Sequence, residues 1–400
     1  MLVSGGMRTV QLIGTPEPGD GVDADAIVVA LKTRSIESAA AVAKSLEALD
    51  YLETLGVRQV MFKYCSTFDS TDRGNIGPVA DALAERLGQS PTVFCPAYPA
   101  NGRSVYRGYL FVGDVPLSES GMRDHPLTPM GDANLLRVLA RQSRRPVRSV
   151  GLHDVRRGAP AIREALERLA GGEPAHAIVD ATEDDDLTAL AEAVAGARLV
   201  TGGAGIALGL PRNFRLAGLL GAGSAVADVV RGGRAAVICG SASVTSRTQL
   251  AEFRRRHPVF DLTAEDVAEP DRAVARALAW ANSRRDDAAI AVSGTAEPEA
   301  IRRNQVQFGI EEAGQRVESI LSSVAAGLVG GGVRRIIVAG GETSGAVVRG
   351  LAVRRLRIGP RIDIGVPWTV ADGSIPLGLA LKSGNFGAAD FFERAIAMTA

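Results

Sequence analysis

The sequence predicts an α/β protein of two domains, each a mostly parallel sheet flanked by helices, with the active site in the cleft between them. Three observations lead there. Short apolar runs with strand character alternate with amphipathic helical stretches along nearly the whole chain, the pattern of sheets covered on both faces. The 46 glycines gather at the ends of those runs, where parallel sheets carry their binding loops. A length of 400 residues is enough for two cores of ordinary size.

The chain opens on Gly5-Gly6 ahead of the strand-like Met7–Gly14, and paired glycines in that position close a helix. Ala26–Ala30 reads as a buried strand. Ser35–Leu55 reads as an amphipathic helix capped by Ser35, and Val57–Tyr64 as the next strand. Pro78–Leu87 is predicted helical, Thr92–Cys95 a strand, and Tyr106–Val112 a hairpin-type insertion. Strands at Ser149–Val150, Ala177–Val179 and Leu199–Val200 alternate with helices at Ile162–Leu169 and Leu187–Val194. A Gly-, Ala- and Arg-rich linker is predicted over residues 212–233, dividing a first domain (1–228) from a second (229–400). The second series runs from the strand at Ala235 through a helix over Ser246–Arg256, a strand at Ala288–Ser293 and a helix at Glu312–Leu328. The strand Arg335–Ala339 follows, and a last strand and short helix lie within Leu379–Phe392.

Composition excludes several function classes. With 45 basic and 45 acidic residues the formal charge is zero, and no basic tail or stripe invites nucleic acid. No apolar run approaches the ~18 residues of a membrane span. Three cysteines without CxxC spacing predict no disulfide framework and a reducing, cytoplasmic setting. The four histidines are scattered and form no metal-ligand pattern.

Six strand-end loops carry the chemistry. Lys63–Pro78 (KYCSTFDSTDRGNIGP) packs Lys63, Ser66, Thr67, Asp69, Asp72, Arg73 and Asn75 into one strand-to-helix connection. Cations beside hydroxyl and amide donors suit a carboxylate-bearing, hydroxylated substrate. Cys95–Arg103 (CPAYPANGR) adds Asn101 and Arg103 as groups able to orient a polar ligand, although Pro-Ala-Asn-Gly is also turn chemistry. Thr201–Gly209 (TGGAGIALG) suits either an anion at backbone N–H groups or close backbone packing, and it lacks the Gly-Lys-Ser/Thr ending of a Walker A loop. Ala339–Gly345 (AGGETSG) offers glycines and hydroxyls to phosphates, with Glu342 able to hold magnesium directly or through water. Gly240–Ser243 (GSAS) and Lys382–Gly387 (KSGNFG) end strands in the same half, and three such loops together read as a nucleotide pocket. An anion-and-hydroxyl site in one half and a nucleotide site in the other predict group transfer, and phosphoryl transfer needs mainly positioning and charge neutralisation.

These motifs, with GDVPLSESGMRDHPLTPM and LKSGNFG, occur in the same order over essentially the whole chain as in the four-carbon acid sugar kinases, and the sequence resembles that family. The FKYCSTFDST and SGNFG wording is most similar to its 3-oxo-tetronate 4-kinase branch. The resemblance implies an acid-sugar-binding N-terminal domain and an ATP-binding C-terminal domain, with the γ-phosphate passing to a terminal 4-hydroxyl in the presence of Mg²⁺. It implies nucleotide contacts at Ser241, Ser243, Gly341, Glu342, Thr343, Ser344 and Gly384, and substrate contacts in the Lys63–Asn75 loop, with Lys63 or Arg73 facing the carboxylate. The general base is left between Asp69 and Asp72, each of which also suits a helix cap or an ion pair. The family pattern opens on a strand ending in Asp-Asp-x-Thr-Gly and a helix leading to LVRGGMRTVQ. This chain starts near the end of that helix, so a misassigned start codon or a shortened, impaired protein is expected. Ala204 stands where many relatives carry serine, a difference of one hydroxyl contact.

The rival activities are a threonate or erythronate 4-kinase and a non-catalytic ligand-binding protein lacking the acidic loop. A Gly-loop dehydrogenase fits poorly, because no GxGxxG followed by a well-spaced acid is present. The expected partners are a small acid sugar and ATP, with no nucleic acid or membrane; a homo-oligomer is left open.

Overall fold

The computed structural model describes residues 1–16, 21–125, 128–221, 224–294, 306, 308–373 and 376–400. The chain divides into two compact units, Met1–Thr9 with Ile13–Ala225, and Val10–Leu12 with Val226–Ala400. Neighbouring strands of the chain are labelled β1 (Thr9–Ile13), β2 (Ala26–Ala30), β3 (Val60–Lys63), β4 (Thr92–Cys95), β5 (Arg103–Tyr106), β6 (Tyr109–Val112), β7 (Val115–Pro116), β8 (Val147–Val150), β9 (His176–Val179) and β10 (Leu199–Gly202).

The first unit is built on a five-stranded sheet in the order β3-β10-β4-β9-β8, with every pair parallel. β4, β9 and β10 are buried along their whole length, as expected of strands covered on both faces. Phe94, Ile178 and Val200 centre the core. Helices Ser38–Thr54, Ile76–Arg86, Ala159–Ala170 and Asp184–Ala193 alternate with these strands. The insertion after β4 is a three-stranded antiparallel meander, β5-β6-β7, rather than a single hairpin. Asp180, at the end of β9, ties it down by accepting from the backbone N–H groups of Arg107, Gly108 and Leu152.

At the N-terminus the N–H of Met7 reaches the Leu2 carbonyl and that of Gly6 reaches Val3, the bond pair that closes a helix. The first long helix starts at Ser38, and Glu37, not Ser35, caps it by accepting from the Ala40 N–H. The strand Ala26–Ala30 is half-exposed rather than buried. Residues 212–216 of the predicted linker are helical, within Leu210–Leu216; Ala222 and Gly223 lie outside the described residues.

The remaining strands are β11 (Ala235–Cys239), β12 (Val259–Asp261), β13 (Ala289–Ser293), β14 (Arg335–Ala339), β15 (Arg355–Asp363), β16 (Val366–Ala371) and β17 (Leu377–Lys382). The large sheet of the second unit runs β12-β13-β11-β14-β17-β16-β15-β1. Its first five strands are parallel; the pairs from β17 to β1 are antiparallel. Two features depart from the sequence reading. Val10–Leu12 pair with Leu356 and its neighbours, so part of the segment assigned to the first domain belongs to the second unit. The antiparallel β15 and β16, and the helices Ala264–Ala268 and Pro270–Ser283, were not anticipated. Among the described residues no helix is long and apolar enough to cross a membrane.

The glycines of TGGAG serve packing. A Cβ on Gly202, Gly203 or Gly205 would lie 2.5, 2.5 and 2.2 Å from the carbonyl oxygens of Cys95, Pro96 and Ala97, so the loops after β10 and β4 can touch only without side chains there. Gly205→Ala is therefore expected to lower unfolding stability by about 1–3 kcal/mol, read from the midpoint of a urea transition. A variant as stable as the parent would show that the two loops are free to separate.

Candidate functional site

In each unit the chemistry-bearing loops follow the carboxyl ends of adjacent parallel strands. In the first unit the loop after β3 lies beside that after β10, with the Tyr64 N–H on the Gly202 carbonyl at 3.1 Å, and the Gly203 N–H on the Cys95 carbonyl at 3.0 Å links the loop after β4. Lys63 ends β3 as an exposed residue. The protein mass around its ammonium holds its pKa below the usual lysine value; Arg34 adds like-charge repulsion, while Cys65 and Asp69 pull it up.

Asp69 is buried. It accepts from the Thr67 hydroxyl and forms an ion pair with Arg34 at 3.2 Å. Thr67 is also 3.0 Å from the Cys65 thiol. Asp72 faces solvent and pairs with Arg141 at 3.1 Å. Gln142 clamps the loop by donating to Ser70 Oγ and the Thr71 carbonyl and accepting from the Gly77 N–H. Ser66 is partly exposed and Arg73 exposed.

Asn75 has a scaffolding task. Its buried side-chain amide donates to the carbonyls of Thr33, Arg34 and Ile36, which fixes the segment that carries Arg34. Asn101 is exposed, and its carbonyl accepts from the Arg103 guanidinium. Arg103 Nε is buried without a partner among the described residues.

In the second unit β11, β14 and β17 are immediate neighbours, so the GSAS, GGETSG and KSGNFG loops meet at one edge. The Gly240 N–H bonds the Ala339 carbonyl, and the Gly340 N–H bonds the Lys382 carbonyl. Gly341 and Glu342 are exposed at the start of the helix Gly341–Gly350, where a carboxylate is favoured by the positive end of the helix. Thr343 is buried against Gly240 and Gly340. Ser344 Oγ is buried with no hydrogen-bond partner among the described residues, a polar group of the kind that calls for an explanation. Ser241 Oγ lies 3.1 Å from Ser243 Oγ. Ser243 caps the helix Val244–Arg254 through the Ser246 N–H and donates to the Gly384 carbonyl at 2.7 Å, so its hydroxyl shapes the loop.

Two residues outside the sequence-predicted set hold this edge together. Lys382 Nζ, buried at the end of β17, donates to Ser246 Oγ and the Ser383 and Gly384 carbonyls, each at 3.1 Å. Burial pushes its pKa down to about 8, the Cys239 thiol opposing weakly. Gln249 Nε2 donates to the carbonyls of Phe386, Gly387 and Ala388. Lys382 carried a signal, as one of few lysines and within a glycine loop; Gln249 and Arg34 carried none.

For a magnesium ion, the described residues hold no cluster of three His, Cys, Asp or Glu side chains. One exposed carboxylate, Glu342, beside the unpartnered Ser344 hydroxyl fits an ion that arrives with phosphate oxygens, since Mg²⁺ commonly takes only one or two protein carboxylates.

The class defined by this architecture is an α/β protein with a polar loop cluster on the sheet edge of each of two units. Residues 1–210 match the model described as a sugar-binding N-terminal domain, and residues 236–392 match the nucleotide-binding C-terminal domain. The chain belongs to this family of paired sugar- and nucleotide-binding domains. It is 52% identical over 397 residues to the 3-oxo-tetronate kinase of Burkholderia multivorans, covering 99% of this chain and 92% of the relative. Identity to the 3-oxo-tetronate kinase of Pseudomonas fluorescens is 50% over 403 residues, covering 100% and 93%. The crystal structure of Haemophilus influenzae protein HI1011 is similar, with a TM-score of 0.88 and 42% identity, covering 100% of this chain and 96% of that one.

The Lys382 environment sets a pH signature. With a native pKa of about 8 and an unfolded value near 10.4, the unfolded chain binds the extra proton between those limits. Stability contributed by this site therefore rises with pH across that window, and below pH 8 the penalty of the buried charge is present in full. Relative to wild type, Lys382→Met should be favoured at pH 7 over pH 10 by up to about 3 kcal/mol, measured by urea unfolding at both pH values. An unchanged difference would mean the ammonium is not desolvated.

Proposed function

We propose that the chain is an ATP-dependent kinase that phosphorylates the 4-hydroxyl of a four-carbon acid sugar, 3-oxo-tetronate, giving the 4-phosphate. The observation that carries this reading is the convergence of three Gly/Ser loops on the ends of β11, β14 and β17, with Ser344 Oγ unpartnered among the described residues. Near-full-length identity of about half to proteins named 3-oxo-tetronate kinase supports the choice of reaction and acceptor.

In this reading Ser241, Gly341, Ser344 and Gly384 receive the nucleotide, and Glu342 holds the Mg²⁺ that accompanies it. The ion, when bound, neutralises charge on the phosphate oxygens. Lys63, with Arg73 and Arg34 from the same edge, binds the substrate carboxylate; Ser66, Thr67, Asn101 and Arg103 surround the hydroxylated end. Asp69 accepts the proton from the attacking 4-hydroxyl. It is the acid of the loop that is buried among hydrogen-bond donors, whereas Asp72 is spent on a solvent-exposed pair with Arg141. Arg34 orients the Asp69 carboxylate, and Asn75 holds Arg34's segment in place.

ADP release should be fastest with 3-oxo-tetronate in a panel that includes threonate and erythronate. A preference for either alcohol acid would reassign the substrate, and no turnover with any member would leave ligand binding as the function. Asp69→Asn is expected to lower kcat about 100-fold or more, with Asp72→Asn within about threefold of wild type because its pair is surface-exposed. The reverse order of effects would exchange their roles.

A further inference from the structure

The KSGNFG loop turns its carbonyls into the protein. The Gly384 carbonyl accepts from Ser243 Oγ, Ser246 Oγ and Lys382 Nζ, at 2.7, 2.9 and 3.1 Å. The Ser383 carbonyl also takes Lys382 Nζ. Further along, the carbonyls of Phe386, Gly387 and Ala388 all converge on Gln249 Nε2 at 3.0, 3.0 and 2.9 Å. In a trans peptide the N–H points opposite to the C=O of the preceding residue. Five inward carbonyls therefore aim the amides that follow them outward. Two of these already have acceptors nearby or begin the final helix: the Ala388 N–H reaches Asp363, and Ala389 precedes the helix Phe391–Ala397. The N–H groups of Gly384, Asn385 and Gly387 have no acceptor among the described residues, and Asn385 and Phe386 are exposed.

The inward arrangement is held at a visible energetic disadvantage. Gln249 is almost wholly buried; its two amide hydrogens serve three carbonyls, while its Oε1 has no partner among the described residues. Lys382 is a buried ammonium that no carboxylate among the described residues neutralises; its donors all go to a hydroxyl and two backbone carbonyls. Unsatisfied buried acceptors are few in folded proteins and a buried unneutralised charge is costly, so each calls for a cause. A leucine and a methionine would fill the same volumes. What only donors can do here is orient the backbone of one loop. Gly384 also admits no side chain, since a Cβ would come within 2.3 Å of Ser241 Oγ.

We propose that Lys382 and Gln249 are positioning residues of the nucleotide site, holding the carbonyls of Ser383, Gly384, Phe386, Gly387 and Ala388 inward so that the amides of Gly384, Asn385 and Gly387 form a cradle for the nucleotide's phosphate oxygens. The neighbouring amides of Gly384 and Asn385, joined by that of Gly387 beyond the turn that bonds the Phe386 N–H to the Ser383 carbonyl, resemble the backbone N–H concavities that bind anions. The inference rests on the nucleotide reading of this edge and names the two side chains that make it competent. Neither touches the reacting atoms.

The test is calorimetric titration of the full chain with ATP and, separately, with adenosine, using wild type, Gln249→Met and Lys382→Met, with a thermal melt of each. The expected result is an ATP Kd raised at least tenfold in both variants, with adenosine affinity within twofold of wild type and a melt that shows each variant folded at the titration temperature. Steady-state kinetics should show the same split, with KM for ATP rising and KM for the acid sugar unchanged. Wild-type ATP affinity kept in either folded variant, or ATP and adenosine weakened by the same factor, overturns the cradle. No ATP binding by wild type overturns the nucleotide reading itself. Should one variant fail to fold, the other decides alone, and Gln249→Glu, which replaces the donor with an acceptor at equal size, serves if both fail: it is expected to weaken ATP more than adenosine, and equal weakening counts against the proposal.

Discussion

A parallel strand covered on both faces has no side chain to spare for chemistry. β4, β9, β10, β11, β13 and β14 are buried throughout, and every residue in them is committed to packing or to the ladder. Polar side chains inside these strands, such as His176, Thr201 and Arg335, are spent on partners within the fold, and the groups left for chemistry gather where the ladder stops, at the carboxyl edge. The spacing of neighbouring strands then decides which loops meet: β3, β10 and β4 bring three together in the first unit, and β11, β14 and β17 three in the second. This geometric constraint selects residues from distant parts of the chain.

Once loops meet, their backbones must be satisfied. The two edges solve this differently. In the first unit glycines let the loops after β10 and β4 lie in direct contact, and side chains such as Gln142 and Asn75 bind stray carbonyls and hydroxyls from the flank. In the second unit buried donors enter from beneath, Lys382 from its own strand and Gln249 from the following helix of β11. The first solution leaves a rigid floor with charged groups standing on it. The second leaves a surface made largely of main chain, which suits a ligand carrying many equivalent oxygens.

Much of this was legible in the residues. Strand–loop–helix order and the positions of all six loops follow from apolar runs ending in Gly, Ser and Thr, and Arg335–Ala339 is a strand over the predicted residues. β15 was hidden because its RLRIGPRID sequence carries charges, a glycine and a proline where a strand pattern needs alternation. The helix Pro270–Ser283 buries only a stripe of alanines, Ala273, Ala277 and Ala281, too weak a signal for periodicity to register. Roles within loops were harder still. A serine or asparagine that ligates and one that caps have the same sequence signature, so Ser243 and Asn75 read as contacts although both are occupied with backbone. Arg34 reaches Asp69 from a loop far earlier in the chain, and no local pattern announces such a pair.

The first strand has a bearing on how the polypeptide is made. Val10 pairs with Arg357 and Leu12 with Arg355, so a segment made early must wait for a partner synthesised more than three hundred residues later. Loop closure over such a span is entropically slow, and until then β15's neighbour is missing and its N–H and C=O groups stand open to other chains. Dissecting the molecule between residues 225 and 226 would make that transient exposure permanent: the carboxyl-terminal fragment would carry an unprotected edge, and its tendency to self-associate would reflect the cut rather than the native protein.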